Sequence, residues 1–265
     1  MNEISCRLFD THCHLDRSDF CSDDDFAQQL EIAQSAGVDK FLIPGCGVFN
    51  WDKIEQLCST YPSLYFSLGL HPYYTDQHLD QHLILLDTKL SQKHEKCVAI
   101  GECGLDFYQS SNDEQLQKHY LIEQIRLANK YQLPLILHSR KSHQDIIKLI
   151  KQHPLDCKGI IHAFTGSYQQ ALDYINLGFY IGVGGSITYP RAKKTRNTIS
   201  LLPLESLVLE TDSPDMPLNG YQGQKNHPKK LPITLNELIM LRNESEQTVA
   251  KQLYRNSLSA YNILD

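Results

Sequence analysis

Short apolar runs alternate along this chain with longer stretches whose apolar residues recur every three or four positions. LFDTHCHL, KFLIPGC (40–46), LYFSLGLHP (64–72), CVAIGECGLD, LPLILHS, KGIIHAF, FYIGVGGSI (179–187) and LVLETDSP read as eight strands. LPLILHS and KGIIHAF are almost continuously apolar, as parallel strands covered on both faces should be. DDFAQQLEIAQSAG, HLILLDTKLSQKH, EQLQKHYLIEQIRLANKYQ, HQDIIKLIKQH and YQQALDYINLG carry the helical period, and Gly37, Pro134, Pro154 and Gly178 supply stops. The tail PITLNELIMLRNESEQTVAKQLYRNSLSAYNIL reads as two helices parted near Asn243–Ser245. This alternation predicts βαβ units around a parallel sheet. No linker or charge block divides the chain, so residues 1–265 are expected to form one domain. The longest irregular segment, 213–232, follows the last strand and is expected to overhang one end of the sheet.

Six potential metal ligands lie at or just past the C-terminal ends of five of these runs: His12 and His14, Glu102, His138, His162 and Asp212. From His14 to Asp212 is 212 − 14 = 198 residues. If the outermost of these runs are the first and eighth strands, seven repeats of about 28 residues fill the gap, near the roughly 30 per unit of a TIM (β/α)8 barrel. In that fold the C-terminal strand ends meet on one face, so ligands remote in sequence converge.

Each residue also has a plainer reading. His12 and His14 sit two apart, on one side of an extended strand with Asp10, and can grip one ion or pack as satisfied core histidines. Asp10 is placed to orient one of them. Glu102 can be a salt-bridge partner, a helix cap, or a carboxylate bridging two cations. Asp106 can support the site or belong to an ordinary loop. His138 and His162 end apolar strands, where packing and hydrogen bonding are common roles, but on successive strands they supply half of a dinuclear cage. Asp212 can ligate a metal and accept a proton from an activated water. Glu210 shares its parity and is a further candidate. A mixed imidazole and carboxylate set suits zinc, manganese or magnesium.

Composition narrows the partners. The formal charge of −6 argues against a protein that coats nucleic acid electrostatically, but two bound divalent ions would reverse the field locally. Eight cysteines without a CxxC pair read as reduced cytosolic thiols, with Cys97 and Cys157 beside strands. MNEISCRLFD lacks the apolar core of a secretory signal, and no apolar run reaches the roughly 18 residues of a membrane span.

FDTHCHLD, GLHPYYT, AIGECGLDF, LPLILHSR, IHAFTGS, YIGVGGSITYP, LVLETDSP and PDMPLNGYQGQKNHP together resemble the TatD family of metal-dependent hydrolases, within the amidohydrolase-like barrels. The resemblance runs from residue 9 to 228. It implies an amidohydrolase-like TIM barrel, two divalent ions per chain and hydrolysis of DNA phosphodiester bonds at strand ends, by a monomer. By position, His12, His14 and Asp212 would hold one ion, His138 and His162 the other, and Glu102 would bridge. Asp212, Glu102, His71 and Arg140 would be catalytic, and His71 and Arg140 match positions associated with substrate contact; for His71, a turn residue set by Pro72 is the alternative. Where the family carries an arginine before Asn-x-Pro, this chain reads Gln224-Lys225-Asn226-His227-Pro228. The stretch Tyr189–Arg196, with Arg191, Lys193 and Lys194, is expected to add a basic rim near Lys141, Lys225, Lys229 and Lys230, or else to be a solvated first helical turn. Relatives with a carboxylated lysine would show Lys at position 102, which this chain does not. The same site could cut another ester or an aminoacyl linkage, or serve as a non-catalytic metal-binding module.

Overall fold

The computed structural model describes residues 7–22, 25–108 and 113–264. Cys6, the MNEISC opening and Asp24, where the first helical pattern begins, lie outside them. Eight parallel strands pair in sequence order: β1 (Leu8–Asp10), β2 (Val38–Ile43), β3 (Leu64–Leu68), β4 (Cys97–Asp106), β5 (Leu135–Arg140), β6 (Gly159–Ile161), β7 (Phe179–Val183) and β8 (Leu207–Leu209). Two backbone hydrogen bonds draw the last strand to the first: Thr11 N–H donates to the Leu209 carbonyl at 3.0 Å and Asp212 N–H to that of His12 at 2.9 Å. The fold is a TIM barrel.

The helices are α1 (Phe26–Ser35), α2 (Val48–Thr60), α3 (Asp80–Ser91), α4 (Glu114–Tyr131), α5 (His143–Gln152), α6 (Tyr168–Asn176), α7 (Lys193–Leu201), α8 (Leu231–Met240) and α9 (Glu246–Ala260). Helix α2 has no counterpart among the sequence patterns named above. Its buried face is Asn50, Trp51, Ile54 and Cys58. A polar residue interrupts the apolar stripe, and its first turn, Val-Phe-Asn-Trp, is poor in helix formers. The Asn243–Ser245 break is as expected, with the Ser245 hydroxyl accepting from Thr248 N–H at 3.2 Å to cap α9. Among the described residues no helix is long and apolar enough to cross a membrane.

One buried cluster gathers Phe9, Leu42, Val98, Ala99, Ile136, Ile160, Tyr180 and Val208 from seven strands, closed by Tyr254, Leu258 and Tyr261. Strand side chains alternate, so the positions two residues further on continue the same faces. Ile136 is thus followed by His138, Ile160 by His162, and Val208 by Glu210, while Asp212 lies past the end of β8 with φ +56°. The polar site stands on this apolar plug. Strand β4 needs a correction to reach it. Its register with β5 runs Ile100↔Leu135 then Cys103↔Leu137, three steps against two, so one extra residue is inserted. Gly101 (φ +137°) and Gly104 (φ +138°) make this possible; a Cβ on Gly104 would lie 2.0 Å from the His138 carbonyl oxygen. The inserted residue shifts the alternation, and Glu102 reaches side chains that follow β1 and β3 as well as β5 and β6.

The long segment after β8 is tied down rather than loose. Asn226 N–H donates to the Pro214 carbonyl at 2.8 Å, and its side-chain amide donates to those of Thr211 at 2.8 Å and Met216 at 3.2 Å.

Three histidines outside the ligand set are held neutral between elements. Burial pushes His78, His143 and His227 each down to about 4. His227 Nδ1 accepts from Lys229 N–H at 3.0 Å while Nε2 meets Gln29 at 3.2 Å, a pattern only the neutral ring satisfies. In the unfolded chain these rings bind protons near 6.5. Between about 6.5 and about 4 the unfolded state therefore holds more protons, and stability present at neutral pH is lost as pH falls through that window. Between pH 7 and pH 5 the chelator-treated protein should lose more of its urea midpoint than its His143→Gln variant does, because only the wild type carries this ring. An equal loss in the variant would exclude His143 as a contributor.

Candidate active site

Glu102 is 1% exposed and lies at the centre of five imidazoles. Its two oxygens divide them. Oε2 is 3.2 Å from His12 Nε2 and 3.8 Å from His14 Nε2. Oε1 is 2.9 Å from His71 Nε2, 3.0 Å from His138 Nδ1 and 2.8 Å from His162 Nε2. Asp212 Oδ1 closes the first group from the seam between β1 and β8, 3.6 Å from His12 Nε2 and 3.4 Å from His14 Nε2. All six expected ligands, and His71, thus meet at one place.

The donor atoms fit a cation. Within this set His12, His14 and Glu102, then His12, His162 and Asp212, then His71, Glu102 and His138 each bring three ligand atoms within 4.8 Å of one another. His12 Nε2 faces His14 Nε2 at 3.3 Å, and His138 Nδ1 faces His162 Nε2 at 3.2 Å. Facing ring nitrogens, each with at most one proton when neutral, converge on common centres as a ligand set does. The far nitrogens of His12 and His162 are buried without a hydrogen-bond partner, so these rings are held through the converging side.

The supports differ from a simple reading of alternation. Strand β1 ends at Asp10 and the chain bends at Thr11–His12, so parity cannot be counted through to the imidazoles. The Asp10 carboxylate accepts from Thr211 N–H at 2.9 Å, Thr211 hydroxyl at 2.6 Å and His12 N–H at 3.4 Å. It ties β1 to β8 and touches neither ring of the pair. Asp106 is the residue that orients a ligand, 3.2 Å from His138 Nε2. Glu210 accepts from Ala163 N–H and lies 3.9 Å from His162 Nδ1, so it braces the β6 end without joining the donors. Gly182 leaves room for it, since a Cβ there would sit 2.4 Å from Glu210 Oε2. His71 Nδ1 accepts from Tyr73 N–H at 2.9 Å, which leaves Nε2 carrying the proton that faces Glu102.

Burial opposes ionisation of Glu102, but His71, His162 and His12 outweigh it and hold the carboxyl well below its usual range. Burial likewise opposes a charge on Asp212, yet His14, His162 and His12 together keep it ionised. Burial pushes His12 down to about 4, the neutral state a ligand needs. Burial also disfavours the His162 cation, but Glu102, Asp212 and Glu210 prevail and push it up to about 9. His14 is raised for a similar reason by Cys46 and Asp212 against burial, and His138 by Asp106 and Glu102.

The cluster opens into a cavity of about 310 Å³ that is also lined by Cys46, Tyr73, Tyr74 and Asp215. These four were not singled out in the sequence, although Cys46 ends the KFLIPGC run and Tyr73 and Tyr74 follow GLHP directly. Cys46 Sγ is 3.9 Å from His14 Nδ1, and Arg17 Nη1 donates to Asp215 Oδ2 at 2.5 Å. A larger cavity of about 610 Å³, beside Gly37, Pro232 and Glu246, holds none of the ligand residues. Arg140 is exposed and stacks its guanidinium 3.6 Å from the Tyr108 ring centre, with Lys141 Nζ 4.8 Å from the same ring. Arg191 is exposed beside Tyr189; Lys193 and Lys194 are exposed in the first turn of α7. Arg196 turns away to the Ile187 carbonyl and Glu237, Lys225 binds the Asp19 carbonyl, and Lys230 is buried over the Tyr221 ring.

A TIM barrel that gathers imidazoles and carboxylates at one mouth has the architecture of a metal-dependent hydrolase. The chain belongs to the TatD family: residues 9–262 match the family described as TatD related DNase. It is 43% identical over 258 residues to the metal-dependent hydrolase YjjV of Escherichia coli (strain K12), covering 97% of this chain and 99% of that one. A metal-dependent hydrolase of Haemophilus influenzae is 39% identical over 259 residues, covering 96% and 99%. The crystal structure of YjjV, a TatD homologue from Escherichia coli K12, superposes with a TM-score of 0.95 at 43% identity, covering 98% of this chain and 100% of that chain.

Metal must displace the protons held by His14, His138 and His162, so binding should release protons and weaken as pH falls. Calorimetric titration with a divalent ion in buffers of different ionisation enthalpy should reveal the release. Glu102→Gln should bind fewer ions while remaining folded. Full loading of that variant would mean that Glu102 is not a ligand.

Proposed function

We propose that this chain is a two-metal phosphodiesterase that cuts DNA from a strand end. The observation that carries the reading is the division of Glu102. One oxygen faces His12 and His14, with Asp212 beside them, and the other faces His138 and His162. A carboxylate so divided suits a bridge between two cations, His12, His14 and Asp212 holding one and His138 and His162 the other. Zinc, manganese and magnesium all accept such donors. When bound, such ions lower the pKa of water and draw charge from a phosphoryl group.

The chain's own groups divide the remaining work. Asp212 is ionised and 14% exposed at its side chain, at the cavity wall, where it takes the proton of the attacking water. His71 presents its Nε2–H to the cavity; it serves Glu102 in this structure and a phosphoryl oxygen in the proposed complex. Arg140, whose guanidinium lies over the Tyr108 ring, presents donors to the same charge. Arg191, Lys193 and Lys194 attract the polyanion locally, which lets a chain of formal charge −6 bind a strand end without binding nucleic acid everywhere. Every proposed ligand comes from a single chain, so the site works in a monomer. The family's name, TatD related DNase, supports DNA as the substrate.

A panel of labelled single- and double-stranded DNA, RNA, simple phosphodiesters and carboxyl esters, each with metal and with EDTA, tests this. Metal-dependent cleavage of DNA ends is expected; esterase turnover alone would replace the reading. Asp212→Asn should lose turnover far more than stability, and near-normal turnover with full metal content would remove its proton-accepting role. Lys193→Glu with Lys194→Glu should raise KM for an oligonucleotide and flatten the log–log salt dependence by about 0.7 per lost phosphate contact. An unchanged KM and slope would take these lysines out of the substrate track.

A further inference from the structure

Three aromatic side chains form a row that leads out of the cavity: Tyr73 and Tyr74 line its wall, and Phe49 continues the row from Tyr74. Phe49 comes from the first turn of α2, and Tyr73 and Tyr74 from the 3-10 turn Pro72–Gln77 after β3. The Phe49 and Tyr74 rings lie 5.0 Å apart at 71°, and those of Tyr74 and Tyr73 lie 5.1 Å apart at 80°. Tyr74 continues to His71, 6.0 Å away at 63°, which lies 4.5 Å from His138. The row thus runs from solvent to the imidazole cluster without a gap. Phe49 is 56% exposed and Tyr73 47% exposed.

Local structure fixes this row. Tyr73 N–H is spent on His71. Asn50 Oδ1 accepts from Cys46 N–H at 3.1 Å and Gly47 N–H at 3.3 Å, while its amide donates to Asp16 at 2.9 Å. Gly47 lies against Phe49, and a Cβ there would meet the ring at 2.6 Å. A single exposed aromatic residue needs no explanation. Three in edge-to-face contact, continuous with a catalytic cavity, are a recognition surface. The rings offer planar apolar faces, while cations stand on another side of the same barrel end in Arg140 and Lys141 on Tyr108. A flat ring carried on a phosphate matches both.

We infer that Phe49, Tyr74 and Tyr73 form a stacking subsite for the unpaired base adjoining the scissile phosphate. The inference deepens the nuclease reading and rests on it. Every base has a π-face, so such a subsite tolerates sequence, but it requires the base to have left its partner. Single strands and frayed ends are its substrates.

The metal-loaded full-length protein and its Phe49→Ala variant should be compared on short single-stranded DNA, intact or with an abasic position near the end. Removing the stacked base should raise the wild-type KM about tenfold at one position, as one lost base–aromatic contact does. Phe49→Ala should show a similar rise on intact DNA and little further loss on the abasic strand. Phe49→Trp should restore the difference. Phe49→Leu, which keeps bulk without a π-face, should behave as Ala does and covers the case in which Ala unsettles α2. A 2-aminopurine at the same position should be quenched on binding to wild type and not to the variant. Equal base cost in both proteins, or none in either, overturns the subsite alone. Wild type that cleaves no oligonucleotide sinks the nuclease reading and the subsite with it.

Discussion

A carboxylate buried at the centre of a barrel cannot stay charged without compensation; left unpaired it costs several kcal/mol even after relaxation. Glu102 is in that position, and much of the upper barrel is arranged around it. The bulge in β4 delivers it, and Gly101 and Gly104 allow the bulge. Gly69 on β3's trailing end must also lack a side chain, since a Cβ there would lie 2.4 Å from the Gly101 carbonyl carbon. The five surrounding imidazoles are held in turn by Asp106 and Tyr73, by the apolar plug below, and by the seam between β1 and β8. The imidazoles around Glu102 are therefore what keeps its buried charge tolerable, and the cage and its carboxylate depend on each other.

The same balance is repeated with opposite sign at the surface. Several cations that look available in the sequence have structural duties: Arg196 ties α7 to α8 through Glu237, Arg17 is paired with Asp19 and Asp215, and Lys225 secures the loop after β8 to the Asp19 carbonyl. Arg140 at the end of β5, Lys141 just after it, and Arg191, Lys193 and Lys194 after β7 remain exposed. Anions lie inside and cations on the rim, so a net charge summed over the chain says little about what the mouth attracts.

The barrel and the side chains gathered at its mouth were legible because both obey period. Parallel strands show as apolar runs, and a charged or imidazole side chain at the end of such a run breaks the pattern conspicuously, as His138 and His162 do. What failed to show was whatever lacks period or violates it. Helix α2 carries Asn50 on its buried face, where the side chain serves backbone groups of the preceding loop. Alternation aligns Asp10 with His12 and His14 only in a straight strand, and the chain bends at Thr11–His12. Cys46, Tyr73, Tyr74 and Asp215 reach the cavity from loops, whose direction no hydrophobic pattern encodes. Lys193 and Lys194 read equally as a basic rim or as a solvated first helical turn, and the burial of Thr195, Thr198 and Ile199 behind them places them in the first turn of α7.

The seam between β1 and β8 has a consequence in time as well as in space. His12 and His14 are made almost two hundred residues before Asp212, and the backbone bonds that join their strands span that whole separation. One half of the cage therefore stays incomplete until the last strand has left the ribosome and the circle has closed. A nascent or prematurely ended chain carries histidines but no finished centre, and hydrolytic capacity arrives only with the complete barrel.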